Sequence, residues 1–114
     1  TKFLWNDAQL TGVVDWINAC IGYAGMDVGH MRYNLTLLYG YDIANKFLSA
    51  YQQANLKFSY HPFWDLVAIG DTCLYDETPP SIYQPWLDFG ITGLSNSLMI
   101  ERTEAYTQHV LAQF

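Results

Sequence analysis

Charged residues are scarce in this sequence, and basic residues are the scarcest of them. Charged side chains make up 14% of the 114 residues, where about 25% is usual for a globular domain. Five isolated lysines and arginines stand against 11 acids, which gives a formal net charge of −6. A nucleic-acid interface needs clustered cations to neutralise phosphates, so we predict that nucleic acid is not a partner.

Cysteine is also rare, and its spacing fits neither a zinc site nor a redox pair. Cys20 and Cys73 lie among apolar neighbours, with no Cys-x-x-Cys motif and no zinc-type His/Cys spacing. We therefore expect two buried, reduced thiols. The sequence shows no secretory signal and no apolar run of membrane-spanning length, which predicts a cytoplasmic protein with no membrane partner.

Apolar and aromatic residues are abundant, at 51% and 17% of the chain. A chain of this length is one domain or part of one, and a small domain has the most surface to cover with polar groups. Either the chain self-associates through apolar faces, or its partner surface belongs to a missing part of the same protein. We favour the second explanation and treat residues 1–114 as a single partial domain.

The order of apolar and turn-forming residues predicts a β-hairpin at 1–16 and a helical part at 17–114. Two β-rich runs flank the turn-forming residues 6–9. We expect the hairpin to lie on the helices, because a lone hairpin is barely stable in water. Gly12 in the second strand is expected to allow a bulge or a close backbone approach.

Five helices are predicted, at about 27–39, 42–54, 62–74, 86–94 and 98–113. Helical spacing predicts a core stripe in the first helix, consisting of Val28, Met31, Leu35 and Leu38. Asp27 and Asp42 are expected to cap the first two helices. The third helix is apolar almost all round, so we expect neighbours to bury it on several sides. Residues 75–85, rich in proline, are expected to form an exposed loop.

Asp15 is the first candidate for chemistry, because it follows a predicted strand and precedes a loop and a helix start. Carboxylates at strand ends hold metals and phosphates in α/β folds. Mg²⁺ is normally bound by one or two carboxylates together with substrate phosphates and water. The alternative is a carboxylate that accepts hydrogen bonds from loop N–H groups, and the local pattern by itself favours this alternative.

The residues around Asp15 resemble the C-terminal lobe of the aminoglycoside phosphotransferase family, which is related to choline kinases and has a protein-kinase-like fold. Its members typically read Leu-Thr-Gly-Val-Ile-Asp-Trp-Glu-Asp-Ala-Gly-Ile-Gly-Asp-Pro, then an aromatic residue and Asp-Leu-Ala. The matching residues are Leu10-Thr11-Gly12-Val13-Val14-Asp15-Trp16, Ala19, Ile21-Gly22 and Asp27-Val28. The match is dense from Leu10 to Gly29, and later segments fit in order and length.

The resemblance implies a mainly α chain with an N-terminal β-hairpin, forming the C-terminal helical subdomain of an α+β phosphotransferase. In the parent protein, the γ-phosphate of ATP or GTP would pass to a hydroxyl of a small molecule. Asp15 would be the Mg²⁺ ligand, and Asp27 would support the catalytic loop. Ile17-Asn18 and Tyr23-Ala24 depart from the family pattern, which leaves the substrate open.

The resemblance also implies that this chain is inactive alone. The family requires a His-x-Asp-x-x-x-x-Asn catalytic loop and an N-terminal lobe that binds the nucleotide, and neither motif occurs in this sequence. We therefore expect no tightly bound Mg²⁺ or nucleotide on this fragment. A second hypothesis is a non-catalytic helical module that binds a small ligand or a partner through its apolar faces.

The acceptor pocket of this family is lined partly by C-terminal helices. The candidates in this chain are Trp64, Asp65, Asp71 and Trp86, because aromatic residues beside acids suit a cationic or sugar-like ligand. For each of them, a role in the core or on a helix surface is the favoured alternative. The histidines His30, His61 and His109 are expected to be surface or packing residues rather than bases, and His61 is expected to cap the helix that begins at Pro62.

Overall fold

The computed structural model describes residues 3–15, 21–75, 84–88 and 90–114. Within these ranges the fold is mainly helical, with one antiparallel hairpin ahead of five helices. The strands are β1 (Phe3–Asn6) and β2 (Gln9–Val13). The helices are α1 (Ala24–Tyr39), α2 (Tyr41–Ala54), α3 (Phe63–Tyr75), α4 (Gln84–Asp88) and α5 (Asn96–Leu111). The predicted mainly α class with an N-terminal hairpin is therefore confirmed.

A two-residue turn closes the hairpin. Its central residues, Asp7 and Ala8, have φ angles of 45° and 66°, as in the type I′ turns whose twist matches that of paired strands. The register shifts once, because Leu4 pairs with Gly12 while the next residue, Trp5, pairs with Leu10. The irregularity expected beside Gly12 is confirmed.

The hairpin does not lie on the helices, and that prediction was wrong for the described residues. Apart from Gly12, every residue from Phe3 to Asp15 is exposed, including the indole of Trp5 at 64%. The helices bury their apolar faces against one another, with α1 packed on α2, α3 and α5. The apolar side chains of the hairpin thus remain without cover in this part of the chain.

Helix α1 begins three residues earlier than predicted. Tyr23 occupies the N-cap position without a side-chain cap bond, and Asp27 lies within the first turn, so its predicted role as a cap was wrong. The buried face also differs from the predicted stripe, of which Val28 alone is fully buried. The buried residues are Gly25, Val28, Gly29, Arg32, Tyr33, Thr36 and Leu37. Arg32 is buried because it pairs with the buried carboxylate of Asp65.

Two glycines let α1 approach α3 closely. A Cβ atom on Gly29 would stand 2.4 Å from the carbonyl oxygen of Trp64, and one on Gly25 would stand 2.5 Å from the Trp64 indole. No side chain larger than hydrogen fits at position 29 unless the α3 backbone moves. The glycines therefore set the spacing of the two helices at the start of α3.

The start of α2 corrects another predicted cap, and the start of α5 has a cap of its own. Ser95 caps α5, because its Oγ accepts a hydrogen bond from the Leu98 backbone N–H at 3.1 Å. Asp42 lies in the first turn of α2, while Gly40 occupies the N-cap with a φ of 91°, so the predicted cap at Asp42 was wrong. The predicted loop at 75–85 lies largely outside the described residues, as does Cys20.

The core lies between α1, α3 and α5. Its buried members are Tyr33, Leu37, Ala68, Ile69, Met99, Tyr106 and Val110. Helix α3 was expected to be buried on several sides, but Phe63 is 49% exposed, and Val67 is half-buried. Among the described helices, none combines the length and apolar character needed to cross a bilayer.

Candidate functional site

Asp15 lies two residues beyond the end of β2, in an exposed and strained position. Its φ is 68°, in the left-handed region that residues other than glycine adopt uncommonly. Aspartate tolerates this conformation better than most residues, because its short polar side chain bonds locally. Such outliers cost about 1–3 kcal/mol and cluster at functional sites. The backbone thus marks the residue that the sequence singled out.

Asp27 lies in the first turn of α1, and its side chain is exposed. A carboxylate in this turn interacts favourably with the positive end of the helix dipole. Residues 16–20, which link Asp15 to the approach of α1, lie outside the described part of the chain. Within that part, no group of three or more His, Cys, Asp or Glu side chains is arranged to hold a metal ion.

The four residues implied for the acceptor pocket have different surroundings. Trp64 lies against Gly25 and Gly29 and stacks on Tyr23, with ring centroids 5.2 Å apart. Asp71 is exposed and pairs with His30 at 3.2 Å. Trp86 is half-buried and packs against the core. The fourth residue, Asp65, is fully buried.

Asp65 is buried at the centre of a polar network that joins four helices and one loop. We call its members, Arg32, Asn45, Tyr60, Asp65 and Tyr106, the polar centre. Asp65 Oδ1 accepts hydrogen bonds from Arg32 Nε at 2.9 Å, from the Tyr60 hydroxyl at 2.5 Å and from the Tyr106 hydroxyl at 2.7 Å. Arg32 also donates from Nη1 to Asn45 Oδ1 at 3.2 Å.

The polar centre is a buried ion pair held by neutral donors. The side chains of Arg32 and Asp65 are only 3% and 1% exposed. Removing two charges from water is costly unless they are paired and hydrogen-bonded, as they are here. Asp65 Oδ2 is buried with no hydrogen-bond partner among the protein groups described. This placement favours a structural role for Asp65 over contact with a substrate.

Burial and charge in the polar centre shift three pKa values upward. Burial by itself lowers the pKa of Arg32. The electrostatic effects of Tyr106 and Asp65 and the hydrogen bond to Asp65 raise it by more, so the net shift is upward. Burial, the hydrogen bond to Asp65 and the negative charge of Asp65 raise the pKa values of Tyr60 and Tyr106. The guanidinium therefore stays charged and both phenols stay protonated across the physiological range.

One feature of the sequence, the position of Arg32, indicates this network, although no local pattern predicts its other members. Arg32 follows Val28 by four residues, so the two share a helix face. A lone base on an otherwise apolar face predicts a buried acid elsewhere, since unpaired charges are rarely buried. The partner is 33 residues away in the sequence, beyond the reach of any local pattern.

His61 and His109 serve capping and packing, whereas His30 pairs with Asp71 on the surface. His61 Nδ1 accepts a hydrogen bond from the Phe63 backbone N–H at 3.1 Å, which confirms its predicted role at the start of α3. Its ring also meets Phe114 at 5.6 Å. His109 packs on Tyr41, with ring centroids 4.1 Å apart.

The exposed acids Asp15 and Asp27 therefore remain candidates for chemistry, whereas the enclosed polar centre is better explained as structural. Comparison of the chain with protein families, with curated proteins and with solved structures found no match.

Proposed function

We propose that this chain is the C-terminal part of a Mg²⁺- and nucleotide-dependent phosphotransferase that resembles the aminoglycoside phosphotransferases. In the parent protein, the γ-phosphate of ATP or GTP passes to a hydroxyl of a small molecule. The protein-kinase-like fold, the nucleotide and the metal are all parts of this proposal. They rest on the resemblance of the segment from Leu10 to Gly29 to that family.

The observation that carries the proposal is the backbone of Asp15. The residue stands exposed at the end of β2 with a φ of 68°. Strain at a functional position is tolerated because the function requires the conformation, whereas a residue without a role has no such requirement. A carboxylate held at a strand end is suited to present one oxygen to Mg²⁺, with phosphate and water oxygens completing the coordination.

The proposed chemistry is mainly positioning and charge neutralisation. The carboxylate of Asp15 would hold Mg²⁺, which would supply the positive charge that balances the phosphates during transfer. Asp27 would support the catalytic loop from the first turn of α1. The acceptor hydroxyl and the rest of the nucleotide site are assigned to parts of the parent protein outside these residues.

Replacing Asp15 with asparagine in the full-length parent tests the proposal. We expect Asp15→Asn to abolish Mg²⁺-dependent phosphate transfer, because the amide keeps the size of the side chain but loses its charge. Circular dichroism and urea unfolding should show an unchanged fold. The matched control is Asp42→Asn, which removes an exposed acid from the first turn of α2 and should leave transfer unchanged. Full activity in the Asp15 variant contradicts the proposal.

The alternative function is a non-catalytic helical module that binds a ligand or partner. Large exposed apolar side chains support it, among them Tyr23 at 54%, Phe63 at 49% and Phe114 at 67%. This alternative predicts that Asp15→Asn changes little, and that the 114-residue chain is monodisperse by itself, often as a dimer. The phosphotransferase proposal predicts no measurable Mg²⁺–nucleotide binding to this chain alone, because most of the site lies elsewhere.

A further inference from the structure

A shallow groove lies between the C-terminal end of α1, the start of α2 and the middle of α5. Its volume is about 180 Å³. Its lining residues are Thr36, Tyr41, Arg102, Ala105, Tyr106 and His109. Thr36 and Tyr106 are buried and form the floor, whereas Ala105 and His109 are exposed at the rim. The space suits a single planar ring with one small substituent.

The groove combines aromatic walls with one fixed cation. The rings of Tyr41 and His109 meet at 4.1 Å, and those of Tyr41 and Tyr106 meet at 5.7 Å. Arg102 is held in place by a hydrogen bond of 2.6 Å from its Nη1 to the carbonyl oxygen of Leu37. That bond uses one of the five N–H donors of a guanidinium, and the remaining donors match the geometry of a carboxylate.

The polar groups of the lining favour a negative ligand. Arg102 is always charged, and among the described residues no acidic side chain lines the groove. The nearest acids in sequence, Glu101 and Glu104, are exposed on α5. Tyr106 turns its hydroxyl away from any ligand, because that hydroxyl donates to Asp65. The groove therefore offers a ring-binding wall beside a preorganised cation.

We propose that this groove binds a small aromatic carboxylate, with the ring against Tyr41, Tyr106 and His109 and the carboxylate on the guanidinium of Arg102. Pockets of this kind, apolar with a few fixed polar groups, orient their ligands through those groups. The groove is small and open, so binding in the millimolar range is expected. This site is independent of the phosphotransferase proposal, because it uses neither Asp15 nor Asp27.

Titration with benzoate tests the proposal, observed by the NMR signals of the Arg102 side chain and of the Tyr41 and His109 rings. Benzamide, which has the same shape without the charge, is the matched ligand. We expect benzoate to shift these signals saturably and to bind at least several-fold more tightly than benzamide. Equal effects of the two ligands, or no saturable shift with benzoate, would overturn the proposal.

Two variants separate the groove from general charge effects. Arg102→Gln should weaken benzoate binding by roughly tenfold, since it removes one charge-assisted contact. Lys46→Gln changes the net charge equally at an exposed position outside the groove and should leave binding unchanged.

His109→Ala removes an exposed wall residue without touching the Leu37 bond, so it tests the site even if Arg102→Gln unfolds. Unchanged binding in His109→Ala, or equal losses in the arginine and lysine variants, counts against the groove.

Discussion

The buried polar centre depends on the carboxylate of Asp65. Its carboxylate balances the charge of Arg32 and accepts from two tyrosine hydroxyls, all on the same oxygen. Removing one partner of a buried ion pair leaves the other charge without compensation, which costs more than the pair contributes when intact. The polar centre is therefore sensitive to single substitutions and more tolerant of paired ones.

We expect Asp65→Asn to lower the free energy of unfolding by about 3–5 kcal/mol, because it leaves Arg32 charged and unpaired in the interior. Arg32→Met should cost less in the Asp65→Asn background than in the wild type, by about 1 kcal/mol or more. Urea unfolding measures both effects. The control is Asp71→Asn, which breaks the exposed pair with His30 and should cost less than about 1 kcal/mol. Additive effects of the Arg32 and Asp65 substitutions would show that the pair is not coupled.

Tyr60 and Tyr106, the two tyrosines of the polar centre, predict a loss of stability at alkaline pH. Their pKa values are raised in the folded state by burial and by Asp65, whereas unfolded tyrosine titrates near pH 10. Above that pH the unfolded chain releases protons that the folded chain retains, so the free energy of unfolding falls as pH rises. Urea unfolding between pH 8 and 11 should show this fall, and Tyr60→Phe or Tyr106→Phe should reduce its slope. Stability that stays constant to pH 11 in the wild type would contradict the prediction.

At the level of elements, the contact between α1 and α3 depends on glycine. Alanine is normally the better helix former by about 1 kcal/mol, so a glycine in the middle of a helix requires a tertiary reason. Gly29 faces backbone atoms of Trp64, whereas Gly25 faces atoms of its side chain. A side chain is able to rotate away from an added methyl group, but a helix backbone moves only with its whole packing.

Gly29→Ala is therefore expected to destabilise the protein by about 1–3 kcal/mol despite the gain in helix propensity. Gly25→Ala should cost less, because the Trp64 indole is able to shift. Urea unfolding of both variants gives the comparison, with Gly12→Ala as a control in the hairpin, where the added Cβ meets Leu4 at an ordinary 3.5 Å. A stabilising effect of Gly29→Ala would show that the helices are not as close as described.

Across the whole molecule, stability is divided unevenly between the helices and the hairpin. The helices share one core, whereas the hairpin exposes Trp5 and both strands to solvent. A two-stranded hairpin without a packed face is at most marginally stable. The hairpin should therefore open locally much more often than α1.

Hydrogen exchange of the 114-residue chain tests this division. We expect the amides of β1 and β2 to exchange at least about a hundredfold faster than those in the middle of α1, corresponding to a difference of about 3 kcal/mol in opening free energy. In the full-length parent, the proposed phosphotransferase would cover the hairpin and slow its exchange. Strong protection of the hairpin in the isolated chain would reveal packing that the described contacts do not contain.

Local sequence was sufficient for the hairpin, its turn and the approximate position of four helices. Turn residues at 6–9 and apolar spacing act over a few residues, so their effect is readable without a partner. The cap at Ser95 and the His61 bond have the same short range. The fourth helix was predicted to continue to about residue 94, but α4 ends at Asp88. Gly90 has a φ of 79°, which is incompatible with a right-handed helix at that residue.

The sequence by itself determined where the elements form, and it singled out Asp15 as a residue to examine. Only the tertiary structure decided which face of α1 is buried, that Asp65 lies in the core, and that the hairpin has no cover among the described residues. The physical reason is that burial of a charge depends on its partner. Arg32 and Asp65 enter the core together because each compensates the other, and no window of sequence contains both.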